Sequence, residues 1–135
     1  MIALDTNILV RVIARDESGD PEQRKAAQAL LSSDQDMFIP VTVVQEVEWV
    51  LRAVYRVASE EIADIFSDLL EVENLIVDRA AAVSKAVDWY RAGLDFSDAL
   101  HLSLSSHCDQ FATFDRKFET AVDRLRIKPQ VFQLR

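Results

Sequence analysis

The stretch MIALDTNILV, residues 1–10, decides the fold class and raises the first question about function. A short apolar run, Ile2 to Leu4, is followed at once by Asp5 and then by apolar residues at helical spacing. A strand that leads directly into a helix is the first half of a strand–helix–strand unit, from which parallel sheets are built. Asp5 therefore has two interpretations. It is either the polar end of a strand, with Thr6 capping the helix, or a ligand for a group that is not protein.

Short β-type stretches and amphipathic helical segments continue to alternate down to the C-terminus. The further stretches predicted as strands are Met37 to Ile39, Leu75 to Val77, Gln110 to Thr113 and Gln130 to Phe132. The segments between them are too long for hairpins and therefore predict crossovers. The pattern predicts an α/β fold, a three-layer α/β/α sandwich around a central, mostly parallel sheet of four to five strands. Residues 1–135 are expected to form a single domain.

Several helix starts can also be predicted. Pro21 is placed as a first-turn proline, and Ser97 precedes Asp98 at the start of a later helix. Thr42 to Gln45, directly after Pro40, has the form of a capping box. We therefore predict that a helix begins near Thr42.

Composition limits the classes of function. The chain has 135 residues, half of them apolar, and a single cysteine, so it can bury a core without disulfides and suits a reducing compartment. Its net charge of -8, from 23 acidic and 15 basic residues, disfavours a simple nucleic-acid-binding module. An acidic site that recruits divalent cations remains compatible with it. No segment has the length of a membrane span or the pattern of a signal peptide, and a soluble, cytoplasmic protein is expected.

Four acidic residues are predicted at the carboxyl edge of the sheet, where the ligands of open parallel sheets bind. Asp5 follows the first strand, and the others are Glu46, Asp98 and Asp115. Clustered carboxylates repel one another unless cations neutralise them, and oxygen ligands select hard cations such as Mg²⁺ or Mn²⁺. Taken singly, each aspartate has a plainer interpretation as a helix cap or as a favourable charge in a first helical turn.

Glu46 is informative because of the helical face on which the spacing places it. Gln45, Glu48 and Arg52 form a polar stripe, and Arg52 is expected to pair with Glu48 one turn before it. Glu46 points away from this stripe and is therefore predicted to face the apolar side of the helix. A buried carboxylate must pair with a cation, accept hydrogen bonds or become protonated. A structural ion pair with Arg11 or Lys85 is the alternative to a metal.

In these motifs the sequence resembles the PIN domain ribonucleases, particularly the VapC-type toxins of bacterial toxin–antitoxin systems. The matching stretches are MIALDTNILV, VTVVQEVEWVL, FSDALHLSLSS and FATFDRKF, which follow the family's order along the whole chain. The resemblance implies that RNA is hydrolysed by a water activated by Mg²⁺ or Mn²⁺. By motif, the metal ligands and catalytic residues would be Asp5, Glu46, Asp98 and Asp115. Polar supports around them would be Thr6, Asn7 and Thr113.

Other polar residues near these motifs are candidates for supporting roles. His101 lies three residues after Asp98 on one helical face, and we interpret it as a structural or supporting group, not as a metal ligand. The candidates for contacts with RNA phosphates are Arg11, Arg15, Arg116 and Lys117. The alternative for each of these four is a solvated charge or an ion pair. The resemblance also implies a homodimer and a cognate antitoxin that blocks the acidic groove.

Two other functions share parts of this sequence pattern. A phosphatase that forms an aspartyl-phosphate would also place an aspartate after its first strand, but that family typically has a second aspartate where Asn7 stands. The rival from another class is a non-catalytic PIN-like domain that only binds RNA or a partner. Acidic residues at all four positions favour the nuclease.

Overall fold

The structure is a computed structural model that describes residues 1–14 and 19–135. Helices and strands alternate as the sequence predicts, and the α/β class with parallel strands is confirmed. Within these residues the elements are β1 (Ile2–Ala3), α1 (Thr6–Ile13), α2 (Pro21–Leu31), β2 (Met37–Ile39), α3 (Val41–Ala53), α4 (Ser59–Glu71), β3 (Leu75–Val77), α5 (Ala80–Arg91), α6 (Phe96–Leu104), β4 (Gln110–Thr113), α7 (Arg116–Leu125) and β5 (Gln130–Gln133).

The chain divides into two compact units, Met1–Ala80 and Ala81–Arg135. In the first unit, β1, β2 and β3 form a parallel sheet in that order. In the second unit, β4 and β5 form a two-stranded parallel sheet. The five predicted strands are therefore all present, and they are distributed over two small sheets. That residues 1–135 form a single domain stays a prediction.

The sheet of the first unit buries one face. Met37 pairs with Leu75 and Ile39 pairs with Val77, and all four side chains are buried. Ile76, which points to the other side by strand alternation, is 43% exposed. The helical part of this core consists of Leu9, Val10, Ala27, Val44, Val47, Leu51, Ile62, Ala63 and Phe66. Burying this apolar face is what holds β2 and β3 in register, and the parallel pairing of β1 with β2 brings the ends of those two strands to the same edge of the sheet.

The start of α3 differs from the predicted capping box. The helix begins at Val41, after Pro40, and no side chain of its own sequence caps it. Instead the carboxylate of Asp78, directly after β3, accepts a hydrogen bond of 3.1 Å from the backbone N–H of Val41. A negative charge at a helix N-terminus is favourable, and the bond satisfies a donor that has no partner within the helix. The predicted cap at Thr42 is therefore wrong, because a residue 37 positions away supplies it.

Two other predicted helix starts have different outcomes. Pro21 is the first residue of α2, as predicted, and the carboxylate of Asp20 caps that helix by accepting from Glu22 N–H at 2.9 Å. α6 begins at Phe96, so Ser97 is already inside the helix and is not its cap. The cap is Asp95, whose carboxylate accepts from the N–H of Asp98 at 3.1 Å.

The second unit is held by aromatic contacts and by a helix that connects its two strands. Phe111 of β4 packs edge-to-face against Phe118 of α7, with ring centroids 5.6 Å apart. Tyr90 and Phe96 form a similar contact at 5.2 Å. Such pairs add to the free energy of burial and fix the angle at which elements pack. Across both units, no helix in the described ranges is long and apolar enough to cross a membrane.

Candidate acidic functional site

Asp5 is the N-cap of α1. Its backbone is extended, and its Oδ1 atom accepts a hydrogen bond of 2.7 Å from the N–H of Thr6. Thr6, which the plainer interpretation made the cap, is instead the first residue of the helix and is buried. The side chain of Asp5 is exposed, and the capping bond uses only one of its two oxygens. Capping and ligand binding by Asp5 are therefore compatible.

Glu46 is exposed, so the prediction that it faces a buried apolar side is wrong. The buried face of α3 is formed by Val44, Val47, Glu48 and Leu51. The glutamate on that face is Glu48, which is 2% exposed and forms the predicted ion pair with Arg52 at 2.8 Å. The helix is apolar on both sides, so spacing alone could not identify the face that packs on the core. Among residues 1–14 and 19–135, Glu46 forms no ion pair with Arg11.

Asp5 and Glu46 line the same cavity of about 520 Å³, which we call the acidic cavity. Its other lining residues in the described part of the chain are Thr6, Asn7, Val10, Arg11, Gly19, Val50 and Tyr55. The structure thus places two of the four predicted acids together, with the predicted polar supports Thr6 and Asn7 and with the predicted phosphate contact Arg11. Arg15, the next residue of the predicted basic row, lies outside the described residues.

Asp115 is the N-cap of α7 in the second unit. Its Oδ1 atom accepts from the backbone N–H groups of Lys117 at 2.9 Å and Phe118 at 3.3 Å. Its own N–H donates to the hydroxyl of Thr113 at 3.0 Å, so the predicted support touches the backbone of the predicted ligand. Arg116 and Lys117 are exposed in the first helical turn.

Asp98 is half-buried in the first turn of α6, near other negatively charged side chains. Burial raises the pKa of its carboxyl above the ordinary value, and the charges of Asp95 and Asp115 raise it further. His101 acts in the opposite direction and lowers this pKa. Asp98 and Asp115 are therefore close enough to interact. Sequence reasoning missed Asp95, although an aspartate three residues before Asp98 at a helix start is the spacing of a cap.

The raised pKa of Asp98 predicts a pH dependence of stability for the metal-free protein. A carboxyl whose pKa is higher in the folded state binds protons more tightly there, so folding is penalised as pH rises through the interval above 3.8. In EDTA at pH 7, Asp98→Asn is expected to be more stable to urea than the wild type. The advantage is expected to vanish below the ordinary pKa, where the carboxyl is protonated in both states.

Asp88→Asn, which changes an exposed aspartate on α5, is the control for this experiment. An advantage of Asp98→Asn that persists unchanged at acid pH would contradict the electrostatic cause.

The two glutamates of α3 are expected to respond differently to substitution. Glu46→Gln removes an exposed charge and should change the free energy of unfolding by less than about 0.5 kcal/mol. Glu48→Ala removes a buried partner of Arg52 and should cost about 1 to 3 kcal/mol, since the remaining groups lose their hydrogen bonds. Urea denaturation of both variants measures this. Equal losses would show that the burial assigned to Glu48 is incorrect.

The donor set of the acidic cavity fits a hard divalent cation. Asp5 and Glu46 offer carboxylate oxygens, and Mg²⁺ is usually bound by one or two carboxylates together with water and phosphate oxygens. The Thr6 hydroxyl oxygen is buried beside them and has no hydrogen-bond partner in the described part of the chain. Buried polar atoms normally have partners, so this oxygen can orient a ligand or a water. No group of three or more His, Cys, Asp or Glu residues suited to a metal ion occurs among the described residues.

Comparison with known proteins gives one match. The family model of the PIN domain matches residues 2–123, which is most of the chain. No curated protein and no solved structure matches it.

Proposed function

Because the chain belongs to the PIN domain family, which has a nuclease-type fold, we propose that it is a metal-dependent endoribonuclease. PIN domains are generally metal-dependent nucleases that act on RNA. The observation that carries the proposal is the acidic cavity, which the first two motif acids, Asp5 and Glu46, line together with Asn7 and Arg11. The family match extends across both compact units, which supports a single domain over residues 1–135.

We assign the binding of Mg²⁺ or Mn²⁺ to the acids Asp5, Glu46, Asp98 and Asp115. Asp5 and Glu46 share one cavity, and the interaction between Asp98 and Asp115 is repulsive without a cation. Like charges held close together destabilise a fold unless they bind something positive, and such groups concentrate at functional sites. Thr113 supports this assignment because it holds the backbone of Asp115.

The reaction is hydrolysis of a phosphodiester bond. A water oxygen forms a bond to phosphorus, the bond from phosphorus to the leaving oxygen breaks, and the leaving oxygen takes up the proton that the water loses. A bound divalent cation supplies a more acidic water and neutralises charge on the phosphoryl oxygens. The carboxylates would hold the cation, and Asn7 and Thr6 would orient groups beside Asp5. His101, exposed on α6, lowers the pKa of Asp98 and so favours its ionised, ligating form.

The protein has a net charge of -8, so positively charged side chains must attract the RNA phosphates at the place where RNA binds. Among the residues that the structure describes, Arg11 is the arginine that lines the acidic cavity, and it lies one helical turn from Asn7. Arg116 and Lys117 are exposed directly after Asp115. We assign phosphate contacts to these three residues, and to Arg15 from its place in the sequence.

We further propose that the protein is the toxin of a toxin–antitoxin pair of the VapC type and acts as a homodimer. The support is the order of the sequence motifs, together with exposed apolar residues on and after α3, where Trp49 is 54% and Val54 is 58% exposed. Aromatic residues such as tryptophan are enriched at protein–protein interfaces. A short reading frame directly upstream that encodes a small DNA-binding protein would support the pairing. Analytical ultracentrifugation of the purified protein measures whether it sediments with the mass of a dimer.

The test of the nuclease proposal is cleavage of single-stranded RNA by the purified chain. Cleavage is expected with Mg²⁺ or Mn²⁺, is expected to stop in EDTA, and is expected to return when the metal is restored. Binding of RNA without metal-dependent cleavage would favour the alternative, a non-catalytic PIN-like domain that regulates or binds RNA or a partner. Cleavage that continues in EDTA would refute the role of the carboxylates as metal ligands.

A further inference from the structure

We propose that Tyr55 forms a base-binding subsite of the acidic cavity, on which one base of a single-stranded RNA stacks. The inference rests on the proposed function, because it describes how the same cavity holds its substrate. Tyr55 belongs to none of the sequence motifs and follows the end of α3.

The lining of the acidic cavity divides into two chemical types. Asp5, Asn7, Arg11 and Glu46 are polar, whereas the apolar and aromatic lining consists of Val10, Val50 and Tyr55. A nucleotide has the same division, with a charged phosphate at one end and a flat base at the other. The volume of about 520 Å³ lies in the range of roughly 300 to 1,000 Å³ that small-molecule sites occupy.

The backbone fixes Tyr55 relative to Glu46. Glu46 and Val50 lie one turn apart on α3, and the N–H of Tyr55 donates to the carbonyl of Val50 at 3.3 Å. The next residue, Arg56, is in the left-handed region with φ 55°, and the N–H of Val57 then donates to the carbonyl of Leu51 at 2.9 Å. The chain therefore reverses directly after Tyr55, two residues beyond Ala53, where α3 ends. A half-buried ring on such a support loses little freedom when a ligand binds.

The charges of the cavity lining indicate that affinity for RNA must come partly from contacts with the bases. Two carboxylates, Asp5 and Glu46, face the single arginine Arg11 among its described lining residues, so the cavity repels phosphate in the absence of a cation. Stacking of a base on an aromatic ring does not depend on a metal and tolerates every base, because each base has a π face. Tyr55 therefore supplies affinity for RNA that remains when the metal is removed.

The experiment measures binding in EDTA by fluorescence anisotropy, with labelled hexauridylate and with a labelled abasic ribose-phosphate chain of the same length. Tyr55→Leu is expected to weaken binding of hexauridylate by about 5- to 150-fold, the range for the loss of one stacked base. Its affinity for the abasic chain should equal that of the wild type. Tyr55→Phe keeps the ring and should bind both probes as the wild type does. Trp89→Leu, which changes a half-buried aromatic residue of α5 outside the described lining of the cavity, is the matched control and should bind both probes as the wild type does.

Three results would overturn the subsite. These are unchanged binding of hexauridylate by Tyr55→Leu, an equal loss for both probes, and a wild-type protein that does not prefer hexauridylate to the abasic chain. The thermal unfolding midpoint of Tyr55→Leu separates the causes of an equal loss, because such a loss counts against the subsite when the midpoint matches that of the wild type. When the midpoint is lowered, the variant is misfolded and the preference of the wild type for hexauridylate decides. Because binding is measured without metal, a failure of metal-dependent cleavage in the wild type would refute the nuclease proposal and leave this measurement valid.

Discussion

Asp5→Asn is expected to lower the rate of metal-dependent RNA cleavage by at least about 100-fold, because a bound cation supplies several kcal/mol of charge stabilisation in such reactions. The substitution removes the negative charge that the proposed site needs. It keeps a side-chain oxygen that can accept the 2.7 Å hydrogen bond from Thr6, and asparagine caps helices as well as aspartate does. The thermal unfolding midpoint should therefore stay close to that of the wild type. Initial cleavage rates at saturating Mg²⁺ measure the effect.

Asp20→Asn is the matched control for this prediction. Asp20 caps α2 as Asp5 caps α1, with a 2.9 Å bond to the N–H of Glu22, and it is exposed and lies outside the lining of the acidic cavity. It should leave the cleavage rate unchanged. If Asp5→Asn cleaves RNA as fast as Asp20→Asn and the wild type, Asp5 is only a helix cap. If both lose activity with a lowered unfolding midpoint, the effect is on the fold.

Leu51→Ala is expected to cost about 2 to 5 kcal/mol of the free energy of unfolding, which is a large part of the stability of a domain of this size. Leu51 is 0% exposed on the face of α3 that packs into the first unit, so truncation leaves a space that the neighbouring side chains fill only in part. Urea denaturation at pH 7 measures the loss. Cleavage measured well below the unfolding midpoint should persist, because Leu51 lies outside the acidic cavity.

Val54→Ala is the control for the core prediction. Val54 is the C-cap of the same helix and is 58% exposed, so the change should stay within about 0.5 kcal/mol. A loss at Val54 as large as that at Leu51 would show that the face of α3 assigned to the core is incorrect.

The pattern of apolar and polar residues was sufficient to predict where the strands and several helices lie. All five strands lie where apolar stretches predicted them, and Pro21 starts α2 as its fixed φ angle requires. The ion pair between Glu48 and Arg52 was also predictable, because residues four apart are neighbours on a helix. These features depend on residues close together in the chain, whose geometry the helix or strand repeat determines.

The environment of the candidate site was less predictable. Spacing placed Glu46 on the more apolar side of α3, yet that side is exposed and Glu48 is the buried glutamate. A helix with valines around most of its circumference has no single apolar face to identify. Asp95 was missed for a different reason. The spacing of Asp95 to Asp98 is that of a helix cap, but α6 was expected to start at Ser97, which directly precedes Asp98.

By itself, the sequence determined an α/β chain with parallel strands, an aspartate between the first strand and its helix, and the motif order of the PIN domain. Only the tertiary structure decided that Asp78 caps α3 from 37 residues away and that Asp5 and Glu46 line one cavity with Tyr55. The local repeat of the backbone fixes which residues share a face. Packing against residues distant in the chain decides which face is buried and which opens onto a cavity.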